Sequence, residues 1–170
     1  GGDPGVTVLF ANITEQRKAQ LALMENERFL STVLQLSPTP TFIIDRNHKI
    51  IFWNRALEIM TKINAEDTIG TSFPWKAFYA QERPCLADFL LDGDAARFEQ
   101  IYGNKGRILQ NPENIWETTG FFPALYNGGT WLHCTATAMR DSSGNLTGVI
   151  EMLEDVTGAK QRASRFDPGT

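Results

Sequence analysis

The chain has 170 residues, of which 42% are hydrophobic, and a formal net charge of −4. That composition supports one globular domain with appendages, and an acidic balance with no basic stripe argues against nucleic acid as a partner. No apolar run approaches the roughly 20 residues that span a bilayer, so no direct membrane contact is expected. Gly1–Gly5 has neither a charged n-region nor an apolar h-region, so no signal peptide is expected, and this start reads as that of an excised fragment. Val6–Phe10 reads as a short β-type run. Asn12-Ile13-Thr14 then opens a long polar helix from Glu15 to about Leu36, free of Pro and Gly. Leu23 and Leu30 are one heptad apart and Leu34 continues the seam at i+4. Two readings stand side by side: a coiled coil that pairs two chains, or an amphipathic helix packed on its own domain. Ser37-Pro38-Thr39-Pro40 ends the helix, because proline excludes the residue before it from helical geometry.

Thr41 to Asn54 reads as a hairpin. Branched and aromatic residues fill the strands Thr41–Asp45 and Lys49–Trp53, and Arg46, Asn47 and His48 reverse the chain between them. Asn54 stops the second strand and can cap the helix Arg55–Thr61, since its side-chain oxygen can accept from an early helical N–H. This stretch resembles the opening of a PAS (Per-Arnt-Sim) domain, in which a strand ends in Asp, a polar turn follows, and the next strand ends in an aromatic residue and Asn. Asp45, Trp53 and Asn54 stand at those places.

Beyond Met60, Asn64–Gly70 reads as a turn or short helix, Thr71–Pro74 as a breaker, and Trp75–Tyr79 as an aromatic cluster. Glu82–Leu91 reads as a helix with Pro84 in its first turn and Leu86, Phe89 and Leu90 on one buried face. A second helix covers Ala95–Tyr102, before the Gly-rich break 103–106. Neither Asp92-Gly93-Asp94 nor that break has the spacing of a calcium or phosphate loop. The C-terminal half reads as β: a strand over Trp116–Tyr126 bent at Pro123, a hairpin turn at Asn127-Gly128-Gly129, a long strand Thr130–Arg140, a turn at 141–145, and a last strand Leu146–Val156. The predicted fold class is α+β: a five-stranded antiparallel sheet with short helices on one face and a long N-terminal helix. This order matches the PAS architecture, and the resemblance covers about Phe29 to Thr157. The segments 75–79, 86–88 and 130–132 resemble PAS modules found beside bacterial histidine kinases and diguanylate cyclases.

The two ends share a pattern. Asn12-Ile13-Thr14 and Asp155-Val156-Thr157 each follow an apolar run and lead into a charged, helix-prone tail. Asp-x-Thr at a strand end resembles the PAS exit motif, with Asn12 in place of Asp in the first copy. The domain reading is therefore 1–14 as the end of a preceding module or a leader, 15–36 as a linker or coiled-coil helix, 37–157 as the PAS domain, and 158–170 as the start of a linker to an effector. Arg165-Phe166-Asp167-Pro168 faintly resembles the start of a diguanylate cyclase domain.

No catalytic constellation is visible. His48 lies in a turn and His133 in a strand, with no Gly-x-Ser-x-Gly elbow, His-Glu-x-x-His or Cys-x-x-Cys pattern. An enzyme is not expected, and no metal site is read. Haem-binding PAS domains place their histidine on the helical side, where this chain has none, and Cys85 sits in Arg-Pro-Cys-Leu rather than a flavin-reactive Asn-Cys-Arg-Phe; no cofactor is assigned. The widely spaced Cys85 and Cys134 favour a reducing, cytoplasmic setting.

The PAS resemblance together with strand parity gives a candidate pocket. Side chains two apart share a face. Phe42 and Ile44, Ile51 and Trp53, Leu132, Cys134 and Ala136, and Val149, Glu151 and Leu153 should face inward, with Phe89 opposite them from the helices. Glu151 is then a carboxylate on an apolar face, and needs a donor from a ligand, a water, or the protein, with Trp131 and Arg83 as possible partners. The resemblance implies a sensory module that binds a small molecule, pairs as a homodimer through Leu23, Leu30 and Leu34, and relays its state through Asp155 and Thr157 to a C-terminal effector such as a histidine kinase or diguanylate cyclase. The alternative is a ligand-free dimerising spacer.

Overall fold

The computed structural model of the chain describes residues 1–103, 106–109, 114–126 and 128–166. It divides into two compact units, Gly1–Leu36 and Ser37–Thr170.

The first unit is a single helix, α1, over Pro4–Leu36. Val6–Phe10 is therefore helical and not a strand. A β-type run needs a neighbouring strand for its backbone N–H and C=O groups, whereas a helix satisfies them within itself. Leu23 and Leu30 are exposed on α1, as are Phe10 and Phe29.

The second unit is an antiparallel sheet of six strands in the order β2-β1-β6-β5-β4-β3. They are β1 (Thr41–Asp45), β2 (Ile50–Trp53), β3 (Gly106–Leu109), β4 (Ile115–Phe122), β5 (Thr130–Arg140) and β6 (Leu146–Asp155). The strand beyond the expected five is β3, which leaves the Gly-rich break to pair with β4. Between β2 and β3 run α2 (Arg55–Thr61), α3 (Ala65–Thr68), a 3₁₀ turn at Pro74–Ala77, α4 (Leu86–Asp92) and α5 (Ala95–Tyr102). After β6 comes α6 (Thr157–Phe166). The strand predicted to reach Tyr126 stops at Phe122, so the connection to β5 is longer than the predicted turn; Asn127 lies outside the described residues, and Tyr126, Gly128 and Gly129 take positive φ.

Local chemistry sets the joints. Asn54, fully buried, caps α2 by accepting from Leu57 N and also accepts from Thr41 N, while its amide donates to Thr39 O. Helix α4 begins later than its pattern predicts, because Cys85 takes the N-cap position in extended geometry and Asp88 reaches back to Cys85 N at 2.8 Å. Gly93, in the left-handed region, ends it. The core lies between the inner sheet face and α2–α5, with Phe42, Trp53, Leu57, Phe89, Phe98 and Leu132 among its buried side chains. Gly148 is required by close approach: a Cβ there would lie 2.3 Å from Ile44 O on β1.

Candidate functional site

The register of the sheet lays one row of side chains across its inner face. Trp53 pairs with Phe42, Phe42 with Glu151, Glu151 with Ala136, and Ala136 with Trp116. All five are buried. The neighbouring row joins Leu153 to Cys134, and Ile44 pairs with Val149. On β5, Leu132, Cys134 and Ala136 are buried while His133, Thr135 and Thr137 are only partly so, which is the alternation of a strand with one covered face. Phe89 faces the same core from α4.

Ile51 is not in this row. It is 52% exposed, and Ile50 takes the inward place instead. The register between β1 and β2 shifts between Ile43 and Ile44, so that Ile44 pairs with Ile50 and Ile51 becomes the extra residue of a bulge. Simple alternation back from Trp53 fails because the bulge resets parity.

Glu151 accepts a hydrogen bond from Ala87 N at 2.8 Å. The pairings considered with Trp131 and Arg83 are not formed. Trp131 stacks with Phe121 at 5.6 Å, and the Arg83 guanidinium lies 4.3 Å from the Tyr79 ring centroid and reaches the Tyr102 hydroxyl. Burial pushes the Glu151 carboxyl up to about 8; the Ala87 N–H opposes this and the charge of Asp88 adds to it. Burial and the proximity of Glu151 likewise raise the thiols of Cys85 and Cys134, both free and buried, well above the usual range. The interior is therefore set up for neutral side chains at neutral pH.

Two indole N–H groups, those of Trp53 and Trp75, are buried without an acceptor among the described residues. Trp53 is 1% exposed. On one side Trp53 packs against Phe42 at 5.9 Å. On the other it lines a cavity of about 270 Å³, together with Ile63, Thr68, Thr71, Phe73 and Lys76.

At the far end of β6, Asp155 Oδ1 accepts from Thr157 N at 2.8 Å; the Thr157 hydroxyl first, and then this N–H and the Thr130 hydroxyl, hold its carboxyl below the usual range against partial burial. The Thr157 hydroxyl bonds to that of Thr130 at 2.8 Å and accepts from Trp131 N at 2.9 Å. The start of α6 is thus tied to the start of β5.

Sequence reasoning missed the contact of the β1–β2 turn with α4. His48 Nδ1 lies 2.7 Å from Asp88 Oδ1 and its Nε2 3.0 Å from Asp92 Oδ1. The usable signal was Asp88 and Asp92 at i, i+4 on a helix, which share a face. His133 is engaged on the sheet, with Nδ1 3.0 Å from Thr119 Oγ1. Among the described residues no cluster of His, Cys, Asp and Glu is arranged to hold a metal ion.

These features can be set beside known proteins. The model of the family described as the PAS fold matches residues 28–156. None of the curated proteins compared with the chain matches it in sequence. Among solved structures, the PAS domain of BvgS from Bordetella pertussis is similar at 19% identity and a TM-score of 0.54, over 86% of this chain and 97% of that one. An RNA-binding light-oxygen-voltage receptor is similar at 16% identity and a TM-score of 0.54, over 82% of this chain and 36% of that one. A PAS domain from Colwellia psychrerythraea shares 12% identity at a TM-score of 0.47, covering 77% and 97% of the two chains. At these identities the structural likeness is one of fold. The family match, by contrast, runs from the end of α1 through the whole sheet to the start of α6, and the chain belongs to the PAS family.

Proposed function

We propose that this domain is a sensory module that takes a small molecule between its sheet and helices and passes the result through β6 into α6. The observation that carries this reading is that Trp53, whose indole N–H is buried without an acceptor, lines a cavity. An unmet buried donor costs about 1–3 kcal/mol, so a ligand acceptor placed there recovers that cost. The cavity of about 270 Å³ fits a compact molecule. From the cavity, contacts run through Trp53 and Phe42 to Glu151, and along β6 to Asp155 and Thr157. Ligand binding shifts this chain of contacts only if the ligand prefers one arrangement of it. Small Cys134 and Ala136 beside Glu151 leave that part of the interior able to adjust. The parent is proposed to be a cytoplasmic bacterial signalling protein whose effector, a histidine kinase or diguanylate cyclase, follows α6.

The test is denaturing mass spectrometry of the purified chain with metabolite extraction, followed by thermal melting with each recovered compound. A compound that raises the midpoint of the wild type and not of Trp53→Phe supports the reading, since a ligand specific to the folded state stabilises it. A compound that raises both equally places the site elsewhere. No compound recovered, and no shift with a broad metabolite pool, favours a ligand-free dimerising spacer. One observation favours that second reading. A lone helix cannot bury the exposed seam Leu23–Leu30 against itself, and a second α1 would cover it.

A further inference from the structure

His48 closes the β1–β2 turn in the left-handed region, at φ 59°. Both of its ring nitrogens face carboxylate oxygens, Asp88 Oδ1 at 2.7 Å and Asp92 Oδ1 at 3.0 Å. A neutral imidazole carries one N–H. It can donate to one of these oxygens and must turn a lone pair toward the other. The imidazolium donates to both. We propose that His48 is a proton-dependent latch, which ties the β1–β2 turn to α4 through two hydrogen bonds when charged and through only one when neutral.

The latch matters because of what α4 carries. Asp88 also accepts from Cys85 N and so closes the first turn of the helix. One residue before Asp88, Ala87 N donates to Glu151 on β6. The first turn of α4 is thus gripped from outside by the hairpin turn and from inside by the strand that leads to α6. Weakening the outer grip leaves that turn held by the Asp88–Cys85 N bond, the Ala87–Glu151 bond and its buried side chains, so that deprotonation of His48 loosens a core contact.

The other charges around His48 are accounted for. Glu82, Arg83 and Arg97 line the same cleft, which has a volume of about 440 Å³. Arg83 is stacked on Tyr79 and Arg97 lies over Phe89. On the turn itself, Asp45 is engaged with Asn47 N and Lys49 N, and Arg46 and Lys49 are exposed. On the inner side of α4 the titratable groups are Glu151, Cys85, Cys134 and Tyr102, whose ring packs against Phe89 at 5.9 Å. Partial burial disfavours the charged imidazole, but the hydrogen bonds and charges of Asp88 and Asp92 outweigh it and hold the His48 pKa above its ordinary value. The charged, latched state therefore persists up to and past the usual histidine midpoint, and is lost as pH rises further.

The latch does not depend on the ligand reading and is tested without one. In the full chain, the His48 ring is titrated by NMR, and protection factors of the α4 amides are measured at about pH 6 and about pH 8.5, which bracket a raised histidine midpoint. The expected result is a midpoint above that of a free histidine, lowered in Asp92→Asn, and a fall in α4 protection from the lower to the higher pH. His48→Gln should start at the lower protection and lose this step, leaving only the part that Glu151→Gln removes. Asp92 is exposed, so the Asn variant should fold and keep the titration readable. A His48 midpoint unmoved by Asp92→Asn overturns the proposal. So does a protection step that survives in His48→Gln and vanishes only in Glu151→Gln.

Discussion

Asn54 Oδ1 accepts from Thr41 N at 2.9 Å and from Leu57 N at 3.1 Å, so one buried amide joins the first strand to the first helix of the core. Its amide nitrogen meanwhile donates to Thr39 O at 2.8 Å. Asn54→Ala takes the side-chain acceptor from the buried Thr41 N and the side-chain cap from Leu57 N, while Thr39 O keeps the Thr41 hydroxyl as a donor. The expected loss is about 2–4 kcal/mol, from the usual cost of an unmet buried group and of a lost cap. Urea unfolding followed by tryptophan fluorescence measures it. A loss within the scatter of surface substitutions would show that the loop at Ser37–Pro40 is held by other contacts.

Glu151 makes stability depend on pH in a definite direction. Its carboxyl sits at an ordinary 4.5 when unfolded and is pushed up to about 8 in the fold. Below the lower value both states hold the proton. Between the two values only the folded state holds it, so stability falls as pH rises, and above the upper value the curve flattens. The total is on the order of a few kcal/mol. Glu151→Gln should remove most of that slope, leaving the smaller contribution from His48, which has the same sign. Urea midpoints at stepped pH check this; an unchanged slope in the variant would mean that Glu151 is ionised in the fold.

The parts of the fold that follow from regular periodicity were legible in the sequence. The hairpin at Thr41, the cap at Asn54 and the bounds of β5 come from alternation or turn chemistry within a few residues, while the burial of Glu151 needed the PAS resemblance to say which face of the strand is inner. The parts that were not legible depend on partners remote in sequence. Ile51 was misplaced because a bulge is a property of two strands and not of one. The short strand β3 exists because β4 offers it an edge. Glu151 meets Ala87 and His48 meets Asp88 across long loops that no local pattern reports. Val6–Phe10 carried β-prone residues, yet joins α1, as expected where propensity is weak and no partner strand is supplied.

Gly148 sets the spacing between β1 and β6. A methyl group there would press on Ile44 O, and the obstacle is backbone rather than a flexible side chain. Gly148→Ala should cost about 1–3 kcal/mol, the range for overpacking a filled site. Thermal melting reads the loss, and exchange of the β1 amides shows whether the strand has moved. A variant as stable as the wild type would mean that the two strands separate freely.

The dimer proposed through α1 makes a sharper demand. Leu23→Glu with Leu30→Glu puts like charges into the seam, and the chain should become monomeric by light scattering with the PAS unit still folded by circular dichroism. Deleting residues 1–28 should do the same. A dimer that survives both changes places the contact on the outer sheet face, near His133 and Thr135. A wild-type chain that is already monomeric at high micromolar concentration ends the proposal.

The bulge at Ile51 has a further effect at the rim of the sheet. β2 is an outermost strand, and such a strand normally offers a row of free backbone groups to any passing chain. Here Ile50 N donates to Thr71 O and Ile50 O accepts from Gly70 N, so a short loop of the same chain occupies that stretch. Ile51, the extra residue, breaks the even repeat that a stranger's strand would have to match. On this side the sheet is finished by its own covalent continuation, which guards against runaway strand addition and the aggregation that follows from it.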